Sequence, residues 1–187
     1  MTVILGLAVA ALVPMLVEAR VSARHARALR ERGAEEPSAD VYRIMQIVYP
    51  SCFLAMTVEA WVRGADVDTM FLAGAVLFVV AKGLKYWAIV TLRDRWTFRV
   101  LVPPGSSTIG RGPYRWLRHP NYVAVAGELA GFAVMTQAAL SGVVSLMAFV
   151  LLLLERIRIE EQALGQSHGV HPSSTVGRES SPRIPLD

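Results

Sequence analysis

Cysteine is all but missing from this chain: Cys52 is the only one in 187 residues. An intramolecular disulfide is therefore excluded, and so is a zinc site built on paired cysteines. Charge is also scarce, at 18% of residues against 53% hydrophobic and a mean hydropathy of +0.42. A soluble domain carries about 25% charged residues, so a water-exposed globule is a poor description. The histidines are few and scattered. His25, His168 and His171 stand in polar segments without the spacing of metal ligands, and no metal is expected. The first apolar run, Thr2 to Val17, has no basic residue before it. A secretory signal has a positive leading region, so this run reads as a retained span. Pro14 inside it is tolerable in a membrane helix and should kink it.

What is present is a series of long oily segments. A spanning helix needs about 20 mostly apolar residues. The candidates are 2–17, 44–62 and 69–90, followed by an apolar run from Tyr122 to Leu154. As one helix that last run would be about 50 Å long, against a bilayer core of about 30 Å. It should fold back at its polar, Ser/Gly-containing stretch, Thr136 to Val143, giving spans at 120–138 and 142–164. The expected architecture is all-α and integral to the membrane. It has about five transmembrane helices in one bundle (residues 1–165), the last two forming a hairpin. The tail at 166–187 is polar and rich in Ser and Pro, a composition of disordered chain.

Arginines set the expected orientation. Six lie between Ala19 and Arg43 and six between Thr91 and Asn121, but one follows the second span and none lies in the expected hairpin turn. By the positive-inside rule the N-terminus is outside and the C-terminus cytoplasmic. The sequence pI of about 9.6 has the same origin. It points to lipid headgroups as partners rather than nucleic acid. Lys82 and Lys85 fall in the inner half of the third span beside Tyr86 and Trp87, and are expected to snorkel to the interface.

Two polar stretches stand out against this background. RGPYRWLRHPNY begins at Arg111 and leads into the fourth span. Gly112-Pro113 marks a turn, Pro120 suits the first turn of a helix, and His119 falls at its N-cap region. The free N–H groups at such an end favour an anion. Read alone, the stretch is equally an interfacial belt of Tyr114, Trp116 and Tyr122 with snorkelling arginines. The second stretch, ERIRIEEQAL from Glu155, should carry the last helix out of the bilayer as far as Gly165. Arg156 and Glu160 are four apart and can pair on one face. Alone, this is equally a solvated helix end. Glu128 lies two turns into the fourth span, at a depth where an ionisable group faces protein or water. Glu59, near the outer end of the second span, is expected to be interfacial.

Together, GPYRWLRHPNY and RIRIEEQAL resemble the isoprenylcysteine carboxyl methyltransferase family, over about Leu84 to Leu164. Within it, Lys85 to Gly105 is most similar to bacterial members associated with type III polyketide synthases, which methylate phenolic lipids. The resemblance implies an integral-membrane O-methyltransferase of the bacterial plasma membrane. Its cofactor would be S-adenosyl-L-methionine (SAM), bound near the cytoplasmic face; the glycine-rich loop of soluble methyltransferases is absent. Carried over by motif, Tyr114, His119, Pro120 and Tyr122 would line the cofactor pocket, with Glu160 and Glu161 as the acidic pair at the cofactor. Arg156 would orient the acceptor, and catalysis would fall to Arg156 and Glu160. The acceptor would be a lipophilic small molecule or a prenylated carboxylate; a phenolic one would benefit from a base, for which His119 and Glu128 are the candidates. The family's aromatic-rich ending is replaced here by the polar tail. The rival reading is a non-catalytic scaffold or a transporter. Transporters tend to show repeated halves, and no internal repeat is visible. Oligomeric state is left open.

Overall fold

The computed structural model describes residues 2–34, 36, 41–101 and 110–169. Five α-helices run through it: α1 (Thr2–Glu31), α2 (Tyr42–Arg63), α3 (Thr69–Leu92), α4 (Pro120–Met135) and α5 (Ala139–Gly169). Short 3-10 turns at Arg93–Arg95 and Gly112–Arg115 flank the α3–α4 connection. No strand occurs among the described residues. The protein is an all-α membrane protein.

Four helices are long and apolar enough to cross a bilayer, within α1, α2, α3 and α5. The expected five becomes four because α4 has 16 residues. It rises only about 24 Å, short of the hydrocarbon core. What α4 lacks in length it makes up in burial: Ala124, Val125, Glu128, Leu129, Gly131, Phe132 and Met135 are all inside. It is the central helix of the bundle.

Other boundaries also moved. The first helix was expected to end at Val17 and runs on to Glu31. Residues 18 to 31 hold no glycine or proline, and Ala, Arg and Leu favour helix. The expected hairpin turn at 136–143 is complete in three residues, with Gln137 in the left-handed region (φ 52°) and α5 starting at Ala139. Gly165 does not stop α5, which continues to Gly169. Residues 166–169 of the expected disordered tail are therefore helical, and its remainder lies outside the described residues.

Helices α3 and α4 meet backbone to backbone. A Cβ added at Gly74 would lie 2.1 Å from the Met135 nitrogen, and one at Gly131 would lie 2.6 Å from the Phe78 nitrogen. Small residues permit this approach where lipid offers no hydrophobic drive between helices. Beside that seam an aromatic core gathers Phe53 and Phe132 (ring centres 4.9 Å apart), Tyr49 and Phe149 (4.9 Å) and Phe78. Val76, Val79, Val80, Val144, Met147 and Leu151 point outward. In water such a surface would aggregate; in a bilayer it meets acyl chains.

The two ends of the bundle differ. At one, Glu59 accepts from Leu140 N (3.1 Å) and from Ser141 N and Oγ (2.6 Å each). The expected interfacial glutamate is thus a cap for the start of α5, drawn in by that helix's unpaired N–H groups. At the other end lie the arginine-rich connections. There His25 Nδ1 bonds the Trp96 carbonyl (2.8 Å), Phe98 N donates to Ser22 Oγ (2.7 Å), and Arg32 pairs with Asp94 (2.7 Å). These bonds seat the 96–101 segment against α1.

Candidate active site

The site lies at the arginine-rich end, where α4 begins and α5 leaves the core. Gly112 makes the approach possible. Its φ is +60°, and a Cβ there would lie 2.4 Å from Thr91 Oγ1, so only glycine fits both the conformation and the space. The turn it starts places Tyr114 half-buried and Pro113 buried, with Trp116 against Trp87 (5.9 Å). His119 is the N-cap of α4 and uses no side-chain bond for that role. Pro120 follows at the first helical position, where its missing N–H costs nothing.

The His119 and Tyr122 rings stack, with centres 5.4 Å apart and planes 14° from parallel. Tyr122 Oη donates to Glu160 Oε2 (2.6 Å) and accepts from Arg156 Nε (2.9 Å). Arg156 also donates to the Phe98 carbonyl, which ties α5 to the segment seated on α1. The two residues expected to pair along α5 are thus joined through a hydroxyl from α4. His119 Nδ1 lies 3.8 Å from Glu160 Oε2, and Nε2 lies 3.8 Å from Glu161 Oε1. Both gaps are too long for direct hydrogen bonds and suit a bridging water or ligand group. Burial, reinforced by the Glu160 charge, pushes the Tyr114 hydroxyl well above the usual phenol range. Tyr114 is accordingly a neutral donor near that carboxylate. Asn121 Oδ1 is buried without a hydrogen-bond partner among the described residues.

Tyr114, His119, Tyr122, Arg156, Glu160 and Glu161 therefore come together, from stretches separated by the α4–α5 hairpin; Pro120 lies buried at the base of that site. The lysines do something else. Lys85 is 1% exposed, 2.6 Å from Glu18 Oε2 and 3.4 Å from Glu128 Oε1. Lys82 lies 3.0 Å from Glu128 Oε2 and 3.5 Å from Glu18 Oε1. The expected snorkelling does not occur. Two carboxylates inside the bundle draw both ammonium groups inward, away from the interface. Glu128 also accepts from Tyr49 Oη (2.6 Å), so it bonds a neighbouring helix. Glu18 and Tyr49 had not been singled out. The available signal was two acidic and two basic residues in or beside the apolar runs, spread over three helices.

This bundle, with its paired polar motifs at one end, defines a class. Residues 74–166 match the isoprenylcysteine carboxyl methyltransferase (ICMT) family model. That match, in a membrane bundle, points to a membrane methyltransferase by class. It is 27% identical over 153 residues to the uncharacterized protein YpbQ of Bacillus subtilis, covering 82% of this chain and 91% of that one. An uncharacterized protein of Haemophilus influenzae is 26% identical over 145 residues, or 77% of this chain and 84% of the other. No solved structure matches.

Proposed function

We propose that the protein transfers a methyl group from SAM to an oxygen of a lipid-like acceptor. One observation carries the reading: α4 and α5 bring His119, Tyr122, Arg156, Glu160 and Glu161 to one end of a membrane bundle. The family is a methyltransferase family, and the donor its members use is SAM. When bound, SAM supplies an electrophilic methyl on a sulfonium, beside an ammonium and a carboxylate.

The residues present fit that group. Glu160 and Glu161 offer carboxylates to the cationic centres, and Glu161 is about half exposed and free to turn. His119 and the Asn121 N–H at the start of α4 suit the carboxylate; Pro120 has no N–H, and those of Tyr122 and Val123 already donate to the His119 carbonyl. The partnerless Asn121 Oδ1 offers an acceptor to an amino group. Tyr122 holds Glu160 in place and is itself held by Arg156. In this reading Arg156 and Glu160 are the groups closest to the chemistry. Tyr114, His119, Pro120 and Tyr122 wall the donor site. Most of the acceleration comes from alignment and exclusion of water. The acceptor's tail stays among the acyl chains while its head reaches the bundle. The arginine-rich end faces the cytoplasm, so the N-terminus is outside and SAM enters from within.

The test is SAM binding by titration calorimetry on the full chain in detergent. The parent should bind, and Glu160→Gln and His119→Ala should each weaken binding at least tenfold while the protein stays monodisperse. Equal binding by parent and both variants removes the site assignment. No binding by a folded parent favours the scaffold reading.

A further inference from the structure

Helical hydroxyls in this bundle mostly turn back on their own helix. Ser51, Thr57, Thr91 and Thr136 each donate to the carbonyl four residues earlier, a common local partner for such groups. Ser22 differs. It lies on α1 past the end of the apolar run and is 2% exposed, and its Oγ accepts from Phe98 N at 2.7 Å. His25, three residues on and so on the same face of α1, bonds the Trp96 carbonyl at 2.8 Å. Both bonds fall on residues 96–101, a stretch that is neither helix nor strand.

The stretch is held from other sides too. Arg99 pairs with Glu36 (2.5 Å) and lies over the Tyr42 ring (4.6 Å). Arg156 Nη2 donates to the Phe98 carbonyl. Phe98 thus gives its N–H to α1 and its carbonyl to α5. These belong to two rigid peptide planes that meet at one Cα, so displacing the first moves the second. From Arg156 the bonds continue through Nε to Tyr122 Oη (2.9 Å) and from Tyr122 Oη to Glu160 Oε2 (2.6 Å). Ser22, Phe98, Arg156, Tyr122 and Glu160 are therefore joined in series, from α1 to the proposed donor site.

The charge of Arg156 makes this series consequential. The residue is 4% exposed, and a buried guanidinium is tolerated only while its donors keep their acceptors. One of those acceptors, the Phe98 carbonyl, comes from a segment with no regular structure to hold it. Its place is set by what it is bonded to, and α1 supplies two of those bonds. Without the Ser22 oxygen, the Phe98 N–H loses its partner and the carbonyl is free to shift. Arg156 then follows it or loses it, and Tyr122 and Glu160 lose their setting. Ser22 and His25 both precede Gly74, where the family-matched segment begins. We propose that the cytoplasmic extension of α1 is part of the donor site, with Ser22 as a positioning residue that acts through Phe98 on Arg156, and so on Tyr122 and Glu160. This rests on the methyl-transfer reading for the word donor, but the coupling itself does not.

The experiment uses the full chain in detergent with nitrogen-15 in its arginines. The Arg156 Nε–H resonance is assigned by its loss in Arg156→Lys. Ser22→Ala should displace that resonance. By calorimetry it should also weaken SAM binding about fivefold, the equivalent of one neutral hydrogen bond. In a Tyr122→Phe background the same change should add no more than about twofold, because the bonds through which Ser22 acts are already cut. A change that only loosened the bundle would weaken binding equally in both backgrounds. Should Ser22→Ala misfold, His25→Ala carries the same expectations. An unmoved Arg156 resonance in the folded variant overturns the inference, as does SAM binding equal to the parent's or an equal loss in both backgrounds. A folded parent that binds no SAM, with the Arg156 resonance displaced in Ser22→Ala, refutes the methyl-transfer reading and leaves the coupling standing.

Discussion

Removing one oxygen atom, in Tyr122→Phe, tests the geometry of the candidate active site most directly. The ring remains, so the stack on His119 is kept. The lost hydroxyl is donor to Glu160 and acceptor for Arg156. The two losses are unequal. Glu160 is about a third exposed, and water can replace what it loses. Arg156 is 4% exposed, so its Nε–H is left without this acceptor in a place water does not easily reach. A hydrogen bond to a charged group contributes about 1.5–3 kcal/mol, and orphaning a buried donor costs at the upper end of that range. About 2 kcal/mol is therefore expected on the Arg156 side. For a chain of this size that corresponds to a melting temperature lower by about 4–8 °C. The effect on Glu160 appears in ligand binding, as its carboxylate loses its orientation. SAM affinity should fall about tenfold, equivalent to about 1.4 kcal/mol. Melting of the purified protein by intrinsic fluorescence reads the first quantity and calorimetry the second. A Tyr122→Phe protein that melts and binds SAM as the parent does would refute the claim that this hydroxyl organises the site.

Gly74→Ala should lower the melting temperature by several degrees, because its Cβ would strike the Met135 backbone at 2.1 Å and overpacking costs about 1–3 kcal/mol. Gly83→Ala, in the interior of α3 with open space around the added carbon, is the control and should leave the melting temperature unchanged or raise it slightly, since alanine favours helix over glycine. Glu59→Ala should lower the melting temperature through loss of the α5 cap, with SAM affinity unchanged; calorimetry and melting together separate the two. Glu36 gives a pH dependence. Partial burial opposes its ionisation, but Arg30 and Arg99 outweigh that and hold its pKa below the usual glutamate value of 4.5. A lowered folded pKa means a stabilisation present above pH 4.5 and lost as pH falls through the folded value. Melting followed from pH 6 down to about 3 should show a smaller decline in Glu36→Gln than in the parent; equal declines would remove Glu36 as a contributor.

Much of this protein is written locally in its chain. Apolar runs near bilayer length, set between arginine clusters, determine an all-α membrane bundle, because lipid leaves the backbone no partner but itself. The Pro120 helix start and the Gly112 turn are legible for the same reason: each is a property of one or two residues. Helix ends were less so. The breaker-free ARVSARHARALRE favours helix, but the end of the apolar run marks only where α1 leaves the bilayer, and leaving the bilayer does not require leaving the helix. The motifs around His119 and Glu160 named the candidate site, but their spacing could not show that Tyr122 Oη would be the joint between Arg156 and Glu160. That depends on the crossing of α4 and α5. The lysines mark the limit most clearly. A lysine near a helix end has a lipid-interface destination that sequence can supply. Whether an opposite charge waits inside depends on which helices become neighbours. Glu18 and Lys85 are 67 positions apart, and only the packed bundle places them 2.6 Å from one another. Ion pairing inside a membrane is decided by tertiary contact, because a charge there takes whatever partner the fold brings within reach.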